Sequence, residues 1–141
     1  MRTILLAGAP GEQHLFGLGV VEQGFIAAGW RVIMMAGAEW PEVCDELRHE
    51  RCDLLGVTCA GDRLRPIIKS AIDEARLASA NRDIKVIAGG HLFLNDGSLA
   101  SLVGADAAAI DSTSAVELAN RLMHVDDKAA DTLCMTTNAL S

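Results

Sequence analysis

Five runs along the chain are continuously apolar, and stretches with helical spacing of apolar and polar positions separate them. The runs are "TILLAG" (3–8), "WRVIMMA" (30–36), "DLLGVTC" (53–59), "IKVIAGG" (84–90) and "ADAAAI" (105–110). A strand covered on one face alternates apolar with polar residues, whereas a strand covered on both is apolar throughout. These runs therefore read as buried strands of a parallel sheet. The intervening patterns predict helices over about 15–28, 41–51, 63–80, 95–103 and 113–124. Pro41 falls in a first helical turn, where its missing N–H costs nothing. Ser112, Thr113 and Ser114 are cap candidates for the last helix. Strand–helix alternation repeated five times predicts one doubly wound α/β domain, flavodoxin-like or Rossmann-like. Its five-stranded parallel sheet is expected in the order 2-1-3-4-5, with helices on both faces. The pattern dissolves after Met123, so the expected division is a domain over 1–124 and a C-terminal tail over 125–141.

Ligands in this architecture bind above the carboxyl ends of the strands, where the strand order reverses. Here that point lies between the first and third strands. It gathers the residues from Gly8 to His14, then Thr58, Cys59, Ala60 and Gly61, then Gly89, Gly90 and His91, and finally Asp111 and Ser112. Glu12, Gln13 and His14 place three polar side chains in a junction that needs only a tight turn, which favours a ligand above them. His14 has two readings: an imidazole satisfied by a cap or by solvent, or a metal ligand whose second ring nitrogen is held by the Glu12 carboxylate. Gly17, Gly19 and Gly24 each forfeit about 1 kcal/mol relative to alanine in a helix. Close packing of helix on sheet accounts for Gly24. Gly17 and Gly19, in the first turns, leave room for a slot between helix and sheet, and Gly89 and Gly90 remove side chains from a second wall.

Composition narrows the function classes. A net charge of −7 and a pI near 4.9 give a surface that repels a phosphate backbone, so no direct nucleic-acid contact is expected. Any role in gene control would run through a protein partner. No apolar run reaches the roughly 20 residues of a membrane span. "MRTILLAGAP" has too short an apolar run for a signal peptide and reads as a first strand. Cys44, Cys52, Cys59 and Cys134 show no metal-ligand spacing and read as reduced thiols. A cytoplasmic location follows. A phospho-receiver needs acidic residues where this chain has Gly8-Ala9-Pro10 and Thr58-Cys59, and a lysine where it has Asp111-Ser112. A flavin phosphate loop needs hydroxyls that "GAPGEQ" lacks. "GLGVVEQG" (17–24) misses the spacing of a dinucleotide fingerprint.

Four segments together resemble the cobalamin-binding domain family. "EQHLFG" resembles its D-x-H-x-x-G motif, "GVTCAG" lies where that family has S-x-L, and "VIAGG" lies at its double glycine. "VGADAAAIDSTSAVELA" is similar to its closing strand and helix, and the likeness runs from about residue 3 to 123. The wording "APGEQHLFGL" is most similar to the sensor domain of photosynthesis antirepressor proteins of purple bacteria, a branch also described as binding heme. The resemblance implies cobalamin, in its adenosyl, methyl or hydroxo form, with heme as the alternative. It implies His14 as the lower axial ligand to cobalt and Glu12 as the imidazole's partner. Gly17 and Gly19 would admit the nucleotide tail, Thr58 would bond the buried base, and Gly89 and Gly90 would line the channel. The whole site would comprise Gly11, Glu12, Gln13, His14, Leu15, Phe16, Gly17 and Gly19, then Thr58, Cys59 and Ala60. Gly89, Gly90 and His91, with Asp111 and Ser112, would complete it. Glu12 replaces the family's aspartate, Thr58 its serine and Ala60 its leucine.

Carbon-skeleton mutases and corrinoid methyltransferases use such a domain together with a substrate barrel or partner domains, which one α/β unit does not hold. The expected role is therefore not an enzyme but a cofactor-binding sensor acting on a transcriptional repressor or other regulatory protein. The alternative is the cobalamin-binding subunit of a mutase or methyltransferase. The chain opens directly on its first strand. The helix bundle over the cofactor's upper face is then expected from a partner or from further sequence, unless that face stays open.

Overall fold

Residues 3–7 are buried without interruption, and Thr3–Gly8 forms β1, an interior strand of the sheet. The computed structural model describes residues 1–13, 15–61, 65–90, 93 and 99–124. In chain order the elements are β1, α1 (Phe16–Ala27), β2 (Arg31–Met34), α2 (Trp40–His49), β3 (Leu54–Thr58), α3 (Arg65–Ala78), β4 (Lys85–Gly89), α4 (Leu99–Leu102) and β5 (Ala107–Ala109). A last helix, α5, covers 112–124. The sheet is parallel with strand order β2-β1-β3-β4-β5, as the apolar runs predict. Each strand falls within its predicted run, because ladder pairing stops before the apolar residues do. Of the two helices expected over 63–80 and 95–103, residues 63–64 and 95–98 lie outside the described residues. So does the predicted tail.

Side-chain alternation assigns each strand residue to one face. Leu5, Ala7, Leu55, Val57, Val86 and Ala88 meet α2 and α3 in one core cluster. Ile4, Leu6, Leu54, Ile87 and Ala109 meet α1, Trp30 and α5 in the other. Amphipathic patterning fits α2 and α3 to the first face: Val43, Leu47, Ile68 and Ile72 are fully buried, while Lys69 and Asp73 pair on the outer side at 3.3 Å. The Trp40 indole N–H donates to the Ala71 carbonyl at 3.0 Å and ties α2 to α3.

The strand-to-helix junctions are set by local chemistry. Pro41 lies in the first turn of α2, as its sequence position predicts. The cap of α5 differs from expectation. It is Asp111, whose Oδ1 accepts the Ser114 N–H at 2.7 Å while the Ser114 Oγ accepts the Asp111 N–H at 3.1 Å. A carboxylate one residue ahead of the predicted hydroxyls reaches the exposed N–H, and Ser114 closes the reciprocal bond.

Candidate functional site

The carboxyl ends of β1, β3, β4 and β5 meet in register. Gly8 pairs with Thr58, Thr58 with Gly89, and Gly89 with Ala109. On the α1/α5 face, β3 presents Leu54, Gly56 and Thr58, and Leu6 packs over Gly56, its Cδ2 2.7 Å from where a Cβ would stand. A cavity of about 400 Å³ lies between sheet and helices. That volume lies in the roughly 300–1,000 Å³ range of small-molecule pockets.

Its inner wall is hydrocarbon: Ile4, Leu6, Phe25 and Ile87 line it and are at most 4% exposed. Its outer wall is formed by Gly17, Val20, Thr58, Gly89, Gly90 and Asp111. A Cβ added at Gly17 would meet nothing within 4 Å, and one at Gly89 would meet only the Ala109 carbonyl oxygen, at 3.5 Å. These two glycines therefore leave space rather than permit a close approach. Gly90 has the opposite reason. Its φ is +104°, and a Cβ there would lie 2.5 Å from the Cys59 carbonyl oxygen. Only glycine fits.

The first junction is equally specific. Ala9-Pro10-Gly11-Glu12 forms a turn closed by the Glu12 N–H donating to the Ala9 carbonyl at 2.9 Å, with Gly11 at φ +84°. Proline at the second position and a positive-φ glycine at the third are the signature of a type II turn. The chain then folds back over the strand end. A Cβ on Gly8 would lie 2.6 Å from Leu15 Cδ2 and 3.3 Å from Glu12 Cβ, so both side chains occupy the space that Gly8 leaves open.

The cavity thus unites Gly17, Thr58, Gly89, Gly90, Asp111 and Ser112 of the predicted site. It does not include Gly11, Glu12, Gln13, Leu15, Gly19, Cys59 or Ala60. Gly19 is exposed, because two residues along a helix turn the position away from the sheet. Cys59 is buried in the α2/α3 core, opposite Thr58, as strand alternation requires. Gly24 packs helix on helix rather than helix on sheet: a Cβ there would lie 3.6 Å from Val116 Cγ2 of α5. His14 and His91 lie outside the described residues, and of Phe16 only the backbone is described. Among the described residues no cluster of three His, Cys, Asp or Glu side chains could hold a metal ion, and no helix is long and apolar enough to cross a membrane. Cys44 and Cys52 are buried, and burial pushes the Cys52 thiol up to about 11.

The sequence reading did not anticipate Ile4, Leu6, Val20, Val21, Phe25, Ile87 or Ala115 as cavity wall. Each reads as ordinary core in the sequence.

A parallel sheet of this order, hollow on one face below the switch point, defines a flavodoxin-like ligand-binding domain. Residues 2–120 match the model of the B12 binding domain, and the chain belongs to that family. Cobalamin is accordingly its cofactor, and a B12-binding domain alone is a cofactor-binding module. A cobalamin-binding protein from Desulfitobacterium hafniense DCB-2 is similar in structure, with a TM-score of 0.76 at 20% identity over 85% of this chain and 58% of that one. The monomethylamine corrinoid protein of Methanosarcina barkeri gives 0.73 at 20% identity over 86% of this chain and 57% of that one. The chain thus spans less than two thirds of either. The receiver domain of sensor histidine kinase PA1611 from Pseudomonas aeruginosa PAO1 shares the fold at 0.63 and 21% identity, over 85% of this chain and 95% of that one. A comparison with curated proteins gave no match.

Proposed function

We propose that this domain holds cobalamin base-off, with the nucleotide tail in the α1/α5 cavity and His14 as the lower axial ligand, and that it signals light, oxygen or redox state to a transcriptional repressor or similar regulatory protein. The cavity carries the reading of the cofactor. A heme held by His14 would need no deep slot, whereas a detached nucleotide tail needs one of this kind, open at the ligand edge and apolar within.

The residues divide the work. Gly17 and Gly89 keep the entrance clear, and Thr58, paired in register between Gly8 and Gly89, offers its hydroxyl to the base. Glu12 and Leu15, seated over Gly8, bracket position 14 in the chain. The Glu12 carboxylate would hold the second imidazole nitrogen, fixing the tautomer and raising donor strength. When bound, the cobalt supplies an axial position whose occupant depends on light, oxygen or oxidation state. The regulatory role rests on the likeness of "APGEQHLFGL" to the antirepressor sensor domains, and a change of ligation there would press on the loop over β1. The second reading, a cofactor subunit of a mutase or methyltransferase, rests on family membership alone.

Separate titrations of the purified protein with hydroxocobalamin and with heme test the reading. Cobalamin is expected to bind with a base-off, histidine-on spectrum that His14→Ala abolishes. An unchanged spectrum in the variant refutes the ligation, and binding of heme alone refutes the cofactor. A sensor changes its own spectrum and oligomeric state with illumination or redox state; a mutase subunit does neither until its larger partner is added.

A further inference from the structure

We infer that the inner end of the α1/α5 cavity selects the lower base of the corrinoid, admitting dimethylbenzimidazole and rejecting adenine. The inference rests on the proposed placement of the nucleotide tail. The polar side chains of the cavity wall, Thr58, Asp111 and Ser112, all lie at the carboxyl edge of the sheet. Beyond them the wall is Ile4, Leu6, Phe25 and Ile87, all essentially sealed from solvent. The backbone adds nothing there, since Leu6, Gly56 and Ile87 are paired side by side in the parallel ladder. Among the described residues, the inner half of the cavity therefore has no donor or acceptor left for a ligand.

The two bases differ in what such a wall must satisfy. Dimethylbenzimidazole detached from cobalt has a single free ring nitrogen, which the Thr58 hydroxyl can serve, and is otherwise hydrocarbon. Adenine carries an exocyclic amine and several further ring acceptors. Buried against Ile4, Leu6, Phe25 and Ile87, these groups would lose water without gaining partners, which is the costly case for a polar group. Discrimination of this kind is unlike that of a missing methyl group, because it arises from unpaired polar atoms.

The test uses the wild-type protein and three probes: cobalamin, the corresponding adenine-bearing cobamide, and cobinamide, which has no base. Dissociation constants come from absorbance titration. Cobalamin should bind at least about tenfold more tightly than the adenine cobamide, equivalent to about 1.4 kcal/mol, and more tightly than cobinamide. Adenine is the weaker cobalt ligand and leaves more readily, so base release alone would favour the opposite order. Equal affinity for the two complete cobamides overturns the inference while leaving corrinoid binding intact. Cobinamide binding as tightly as cobalamin overturns it too, because the base then contributes nothing. Failure of all three probes overturns the proposed function along with it.

Discussion

The two faces of the sheet are built to different standards. On the α2/α3 face, Leu55 and Val57 meet Val43, Leu47, Ile68 and Ile72, each no more than 2% exposed. On the α1/α5 face the same strand offers Leu54, Gly56 and Thr58, and a cavity of about 400 Å³ remains. The helices match. Charged residues give α2 and α3 a solvated outer side, whereas Glu22 is the one charged residue of α1, and its Val20 and Ile26 are at least half exposed. A domain wanting only stability would fill both faces to crystal-like density. This one packs one face solidly and leaves a cavity in the core of the other.

The sharpest way to break that division is to damage the solid face. Leu47→Ala should lose about 2–5 kcal/mol of stability by creating a core cavity, read from urea denaturation, while cobalamin affinity of the folded fraction stays the same. A loss below about 1 kcal/mol would mean that the α2/α3 face is not tightly packed. Filling the hollow face should do the reverse. Gly89→Val places a β-branched residue at a strand position whose Cβ has room. It should weaken cobalamin roughly a hundredfold, about 2.7 kcal/mol, leave cobinamide unaffected, and change the denaturation midpoint little. Unchanged cobalamin affinity would show that the tail lies elsewhere.

Two glycines of α1 sharpen the comparison at smaller scale. Gly17→Ala and Gly19→Ala should each stabilise the fold by up to about 1 kcal/mol, since neither Cβ meets an obstacle. Only Gly17→Ala should also weaken cobalamin, severalfold, because only Gly17 lines the cavity. Equal binding effects would contradict that assignment. A last effect, confined to alkaline pH, is titration of the solid face. Folded Cys52 keeps its proton up to about pH 11, whereas its ordinary value is 9.0. The unfolded chain releases that proton first, so stability is fully present below pH 9 and falls as pH rises from there through about 11. Cys52→Ala should lack this contribution when denaturation midpoints are compared across the interval.

Strand order and the covered sheet were legible because continuous apolar runs alternating five times with helical patterns define a doubly wound parallel sheet. The "TILLAG" run matches β1 residue for residue. Gly17 and Gly89 were legible as space-making because a glycine in a regular element asks for a reason. What escaped depends on which way a side chain points. Cys59 sits beside Thr58 in the chain but on the opposite face. Asp111, placed in the ligand site by its position after β5, also caps α5, a role that the neighbouring hydroxyls masked. Gly24 makes room for α5, a contact between segments nearly ninety residues apart that no local pattern reveals.

Electron paramagnetic resonance of the cobalt(II) form, bound to protein carrying ¹⁵N-labelled histidine, addresses the central proposal at the metal itself. With the base in the cavity and an imidazole on the cobalt, nitrogen superhyperfine lines should change from the triplets of ¹⁴N to the doublets of ¹⁵N. Persistent triplets would mean that the cofactor's own benzimidazole still holds the cobalt, and that the hollow face has another use.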